Sequence, residues 1–155
     1  MNRIIKLLFP LVALGLITAS GCPPTGGGQE TNFSALTLSG AAEVPPVTTN
    51  GSGAGSLTLN AAQTSADYYI SAQNLGSTVT AAHFHVGPPG QDGGIVEDIT
   101  NNIQGNAGSL IIEGTWSNLT PSEVSSLLAG NVYINIHTTN NPDGELRGQL
   151  AEDTN

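Results

Sequence analysis

The sequence predicts an all-β fold, an antiparallel Greek-key sandwich or barrel of seven or eight strands with one short helix at about 121–129. Three observations carry that reading. Short segments alternate apolar and polar residues, as in "SLTLN" and "NVYINIH", and a period of two is the signature of a strand. Turn-forming clusters such as "PPGQDGG" and "NNPDGE" separate these segments. The chain holds 20 glycines beside many Thr, Ser, Asn and Ala, a composition suited to short strands and turns.

The elements follow in order. "FSALTLSG" alternates, with Phe33, Ala35 and Thr37 on one side and Leu36 and Leu38 on the other. In "AAEVPPV" the proline pair forbids a central strand, so this segment is expected along an edge or as a connection. "GAGSLTLNA" places Leu57 and Leu59 two apart, and "SADYYISAQNL" puts Tyr68 and Ile70 on one face. "STVTAAHFHVG" is a further strand, "IVEDIT" a short one, "NNIQGNAG" a loop and "SLIIEGTWSNL" a strand. "TPSEVSSLLAG" changes period. Thr120 is the N-cap, Pro121 fits the first turn, and Glu123 completes a capping box. Val124, Leu127 and Leu128 form the apolar stripe, and Gly130 ends the helix. "NVYINIHT" and "ELRGQLAE" are the closing strands, the latter with Leu146, Gly148 and Leu150 on one face.

The ends and the charge set an address. Arg3 and Lys6 precede an apolar run, Leu7 to Ile17, that is short for a membrane span and is followed by "TASGC". This order is that of a lipoprotein signal, residues 1–21, with Cys22 lipidated as the new N-terminus; Ala19 stands where Leu is commoner. Pro23, rather than Asp, follows the cysteine, which points to the outer membrane in a host with two membranes. Residues 22–32 are a Pro/Gly tether, 33–150 the β domain and 151–155 a tail. The expected location is the extracytoplasmic cell envelope: the periplasmic face of an outer membrane, or the cell surface. Beyond Lys6 the only base is Arg147, against twelve acids in the chain. Such a surface repels phosphate backbones and excludes nucleic acid as a partner. The expected partner is the membrane, through the lipid; no sequence feature identifies a protein partner.

The chain has three histidines. Successive strand side chains point to opposite faces. His83 and His85 therefore oppose Ala82, Phe84 and Val86, while Tyr133, Asn135 and His137 oppose Val132, Ile134 and Ile136. Residues two apart on a strand lie about 6.6 Å apart, a spacing from which two imidazoles converge on one ion. His137 from a neighbouring strand would complete a three-nitrogen site on the outer face of a sheet. Copper is the favoured ion and zinc the alternative, since neutral imidazoles suit both. Asp92, Asp143 and Glu145 are candidates for a fourth ligand, and Tyr133, Asn135, Asp143 and Glu145 for a second shell. Arg147 needs a partner among the acids, and Glu43 is the candidate for a structural ion pair. No catalytic triad, phosphate loop or zinc-protease motif is present, so an enzyme is not the leading expectation.

"LSGAAEVPPV", "TAAHFHVGPPGQDGG" and "GNVYINIHTTNNPDGELRGQL", in this order from about Phe33 to Leu150, resemble a chordin-type (CHRD) domain in a bacterial lipoprotein form. The resemblance implies an extracellular β domain; the animal namesake is an extracellular antagonist of bone morphogenetic proteins. The architecture is also similar to the copper/zinc superoxide dismutase barrel, in which an H-x-H on a strand helps to bind copper. This chain lacks that family's further histidines and its disulfide cysteines, for Cys22 is its only cysteine. The leading expectation is a lipid-anchored domain that binds a transition metal through His83, His85 and His137. The rivals are a protein-interaction or envelope-structural module with structural histidines, and a dismutase-like redox enzyme.

Overall fold

The computed structural model describes residues 28–154, so the expected signal peptide and Cys22 lie outside the described residues. The strands are β1 (Thr31–Leu38), β2 (Ser52–Leu59), β3 (Ser65–Gln73), β4 (Val79–Val86), β5 (Gly94–Asp98), β6 (Ile103–Asn106), β7 (Ser109–Ser117), β8 (Val132–Thr138), β9 (Leu146–Gln149) and β10 (Ala151–Glu152). Among the described residues one α-helix, α1 (Pro121–Leu128), links β7 to β8. A six-stranded sheet runs β10-β1-β2-β3-β7-β6 and a four-stranded sheet runs β5-β4-β8-β9, with every pair antiparallel. The fold is a sandwich, not a closed barrel. In the larger sheet β10 returns beside β1, giving the 4-1-2-3 order of a Greek key over β10, β1, β2 and β3.

The inner faces meet in one core. Leu57, Leu59, Ile70 and Ile112 come from the larger sheet, and Ala82, Phe84, Ile134, Ile136 and Leu146 from the smaller. The Phe84 ring stacks on Trp116 at 5.5 Å and meets the Tyr68 ring edge-on at 5.3 Å.

Several expectations need correction. β1 does not keep one face inward: Phe33 and Ala35 are buried, and so is Leu38. A shift in the β1–β2 register between Ala35 and Leu38 moves the chain by one residue, which turns Leu38 to the core side. β5 ends at Asp98, before the close of "IVEDIT"; a 3-10 turn, Thr100–Asn102, follows, and the segment read as a loop contains β6, which pairs with β7. The closing strand divides at Leu150: β9 belongs to the small sheet, while Ala151 pairs with Ser34 in the large one. In α1 the capping box forms as read, with the Glu123 carboxylate accepting from the Thr120 backbone N–H at 2.6 Å and the Glu123 N–H donating to Thr120 Oγ1. Gly130 takes φ +69° just past the helix, as a C-terminal stop requires. Leu128 is not part of the buried stripe; it is 43% exposed, and Val124 and Leu127 alone turn to the core.

Candidate metal centre

β4 and β8 are the two central strands of the small sheet. Their register sets Ala81 opposite His137, His83 opposite Asn135 and His85 opposite Tyr133. The three imidazoles therefore share the outer face, with ring centres 4.8 Å apart for His83 and His137, 5.5 Å for His83 and His85, and 5.9 Å for His85 and His137. One nitrogen from each lies within 4.8 Å of the others. Two ligands about 2.0–2.1 Å from a tetrahedral ion stand about 3.3 Å apart, so little movement is needed to close on a cation.

Backbone carbonyls choose the tautomers. His85 Nδ1 donates to Gly93 O at 2.9 Å and His137 Nδ1 donates to Pro142 O at 2.9 Å, because a carbonyl can only accept. Both Nε2 atoms are thereby left unprotonated, as acceptors. His85 Nε2 is buried and has no hydrogen-bond partner. His137 Nε2 accepts from His83 Nδ1 at 3.0 Å. The far nitrogen of His83, Nε2, lies 3.8 Å from Asp98, whose carboxylate is held below its ordinary range by hydrogen bonds from Thr100. Burial lowers the His85 pKa, with the Gly93 carbonyl pulling the other way and His83 and Arg147 adding to the fall. Burial also lowers that of His137, against the Pro142 carbonyl. Both rings are thus held in the neutral form that a metal requires.

The outer face of the small sheet is covered rather than open to solvent. His85 and His137 are each 8% exposed, Asn135 3%, and every residue of β8 is buried. The β4–β5 loop, the proline segment after β1 and the β8–β9 loop cover the face. Arg147 fastens the first of these, donating from Nη2 to Pro88 O at 3.2 Å and Gln91 O at 2.9 Å. Its guanidinium carbon lies 3.6 Å from the centre of the Tyr133 ring, and His85 stacks on the same ring at 4.9 Å. Since β8 runs between β4 and β9, the phenol is held between imidazole and guanidinium. The Tyr133 hydroxyl accepts from Gly93 N–H at 3.1 Å, fixing the residue whose carbonyl orients His85.

The remaining candidates divide. Asp92 is the ion-pair partner of Arg147, at 3.5 Å, and not a fourth ligand. The expected Glu43–Arg147 ion pair is not made; the guanidinium turns to the loop carbonyls, and Glu43 only senses its charge. Glu145 is fully buried away from the imidazoles, accepting from Thr49 Oγ1 at 2.6 Å, Gly76 N–H at 2.7 Å and Thr138 Oγ1 at 2.7 Å. Asp143 is exposed, and its charge is felt at His137. Sequence reasoning missed the Gly93 and Pro142 carbonyls, which have no side-chain signature, and Asp98, which the strand register alone sets opposite His83.

The fold and the covered histidine face define an antiparallel β-sandwich with a buried polar cluster on its smaller sheet. Residues 34–150 match the CHRD domain family, and the chain belongs to that family. No curated protein and no solved structure matches it.

Proposed function

We propose that this CHRD domain binds one transition-metal ion through His83, His85 and His137, in a lipid-anchored protein of the cell envelope. The observation that carries the reading is the His85 Nε2 lone pair: buried, without a donor, and aimed at two further imidazoles. A buried acceptor left alone costs about 1–3 kcal/mol, and an ion would satisfy it. The carbonyl partners of His85 and His137 are the outer-sphere contacts that metal-ligating histidines ordinarily have. To serve as a ligand His83 passes its proton from Nδ1 to Nε2, which faces Asp98. Three neutral imidazoles and no thiolate favour copper on affinity, with zinc as the alternative.

One observation favours the rival reading. The His83–His137 hydrogen bond is satisfied without an ion and ties β4 to β8, as a structural pair would. Titration calorimetry with copper and zinc separates the two. The parent should take up about one ion per chain, and His85→Ala should lose more than the about 10–100-fold that loss of an outer-sphere partner costs. Equal affinity in both, or no uptake by the parent, leaves the structural module.

A further inference from the structure

The geometry points to a proton held on the buried Glu43 carboxyl that leaves when a divalent cation settles among His83, His85 and His137, an inference that rests on the metal-binding reading above. Glu43 comes from the segment after β1 and Asn135 from β8, and they are 5% and 3% exposed. Glu43 Oε1 and Asn135 Oδ1 are both buried with no hydrogen-bond partner. Both abut Gly144, which has φ +136°: a Cβ there would stand 2.5 Å from Asn135 Oδ1, 2.6 Å from Glu43 Oε1 and 2.7 Å from Asn135 Nδ2, and no hydrogen bond joins that amide to the carboxyl. Two acceptor oxygens thus border one small space, and neither has a donor. An ionised Glu43 would leave both unsatisfied and add a buried charge. A carboxylic acid removes that charge and brings an O–H donor to the space.

The charges around Glu43 agree. Burial raises its pKa from 4.5 to about 7, with Arg147 opposing and Asp92 reinforcing the rise. Asp143, across the β8–β9 loop, borders the same recess with a second negative charge. Arg147 is engaged by Pro88, Gln91 and Asp92 and does not pair with the carboxyl.

Asn135 is the cross-strand partner of His83, so the recess adjoins the imidazole cluster. An ion arriving there brings two positive charges to a covered face, and nearby positive charge favours the carboxylate. The acid then ionises: the O–H bond breaks, the proton passes to buffer, and no electron moves. His85 and His137 are already held neutral by burial. Metal uptake should accordingly weaken as pH falls through neutrality.

Zinc, which has no redox chemistry, is the probe. The purified protein is titrated with Zn2+ at about pH 6.5, near the ordinary imidazole value, in buffers of different ionisation heat. The parent should release well over half a proton more per ion than Glu43→Gln, a difference in which protons from imidazoles cancel. Equal release with zinc bound by both overturns the coupling and leaves the metal site standing; no uptake by the parent overturns both. A second measurement needs no variant. The Glu43 carboxyl carbon, followed by NMR, should titrate near neutrality in the metal-free parent and stay ionised in the zinc form. Ionisation persisting down to about pH 5 without metal overturns the proposal, because it means that the Asn135 amide is turned to donate Nδ2–H to a carboxylate.

Discussion

Arg147 points its donors mainly at backbone carbonyls, and this decides how much it holds. Its partner Asp92 has a side chain 64% exposed, so that ion pair is screened by water. The Pro88 and Gln91 carbonyls and the Tyr133 ring are the stronger partners. Arg147→Ala should destabilise the domain by about 2–4 kcal/mol in a denaturant melt, whereas Asp92→Asn should cost under about 1 kcal/mol. Glu145 gives the pH-dependent counterpart. Burial opposes its ionisation, but hydrogen bonds from Thr49, Thr138, Gly76 and Asn141 outweigh burial and hold its pKa below 4.5. A depressed carboxyl binds fewer protons folded than unfolded, so its stabilisation is present above pH 4.5 and lost as pH falls through the folded value. Glu145→Gln, which turns one acceptor into a donor, should therefore be less stable than the parent at neutral pH, and the gap should narrow in acid. A gap that stays constant from pH 7 to about pH 3 would show that the carboxylate is not the stabilising form.

At the scale of the element, α1 shows local sequence deciding local structure. Its capping box closes two backbone donors of an eight-residue helix, and Thr120→Ala should cost about 1 kcal/mol, measured by thermal or chemical unfolding. The same directness fails wherever a partner from far along the chain decides the outcome. Tyr133, Asn135 and His137 are polar by type, and alternation sets them opposite the core but carries no sign that the β4–β5 loop, the proline segment after β1 and the β8–β9 loop bury them. "IQGN" has no apolar alternation, and β6 exists because β7 offers an edge to pair with. Leu36 and Leu38 contradicted Phe33 and Ala35 as an inward set, a conflict that a register shift resolves at Leu38 and that no period predicts. The histidine faces, by contrast, were readable, because Phe84, Ile134 and Ile136 mark the core side of their strands. The adjacency of β4 and β8, which makes a cluster of the three, was not.

For the whole molecule, the proposed membrane anchor rests on the "TASGC" motif alone. Cys22→Ser should leave the protein unprocessed or free of the membrane fraction on cell fractionation; processing and partition like the parent would remove the lipid anchor from the account. The described chain starts and finishes on one side of the sandwich. Phe33 faces Glu152 across the β1–β10 pair, and Asp153 N–H donates to Asn32 O at 2.9 Å. The described segment is therefore nearly a ring, and a short linker could close it while new ends were opened at the exposed Ala61–Gln63 turn between β2 and β3. Such a circular permutant would keep every strand pairing and the histidine face intact while moving the point of attachment to another corner of the sandwich, so that the orientation of the domain over a surface becomes a variable separate from its chemistry.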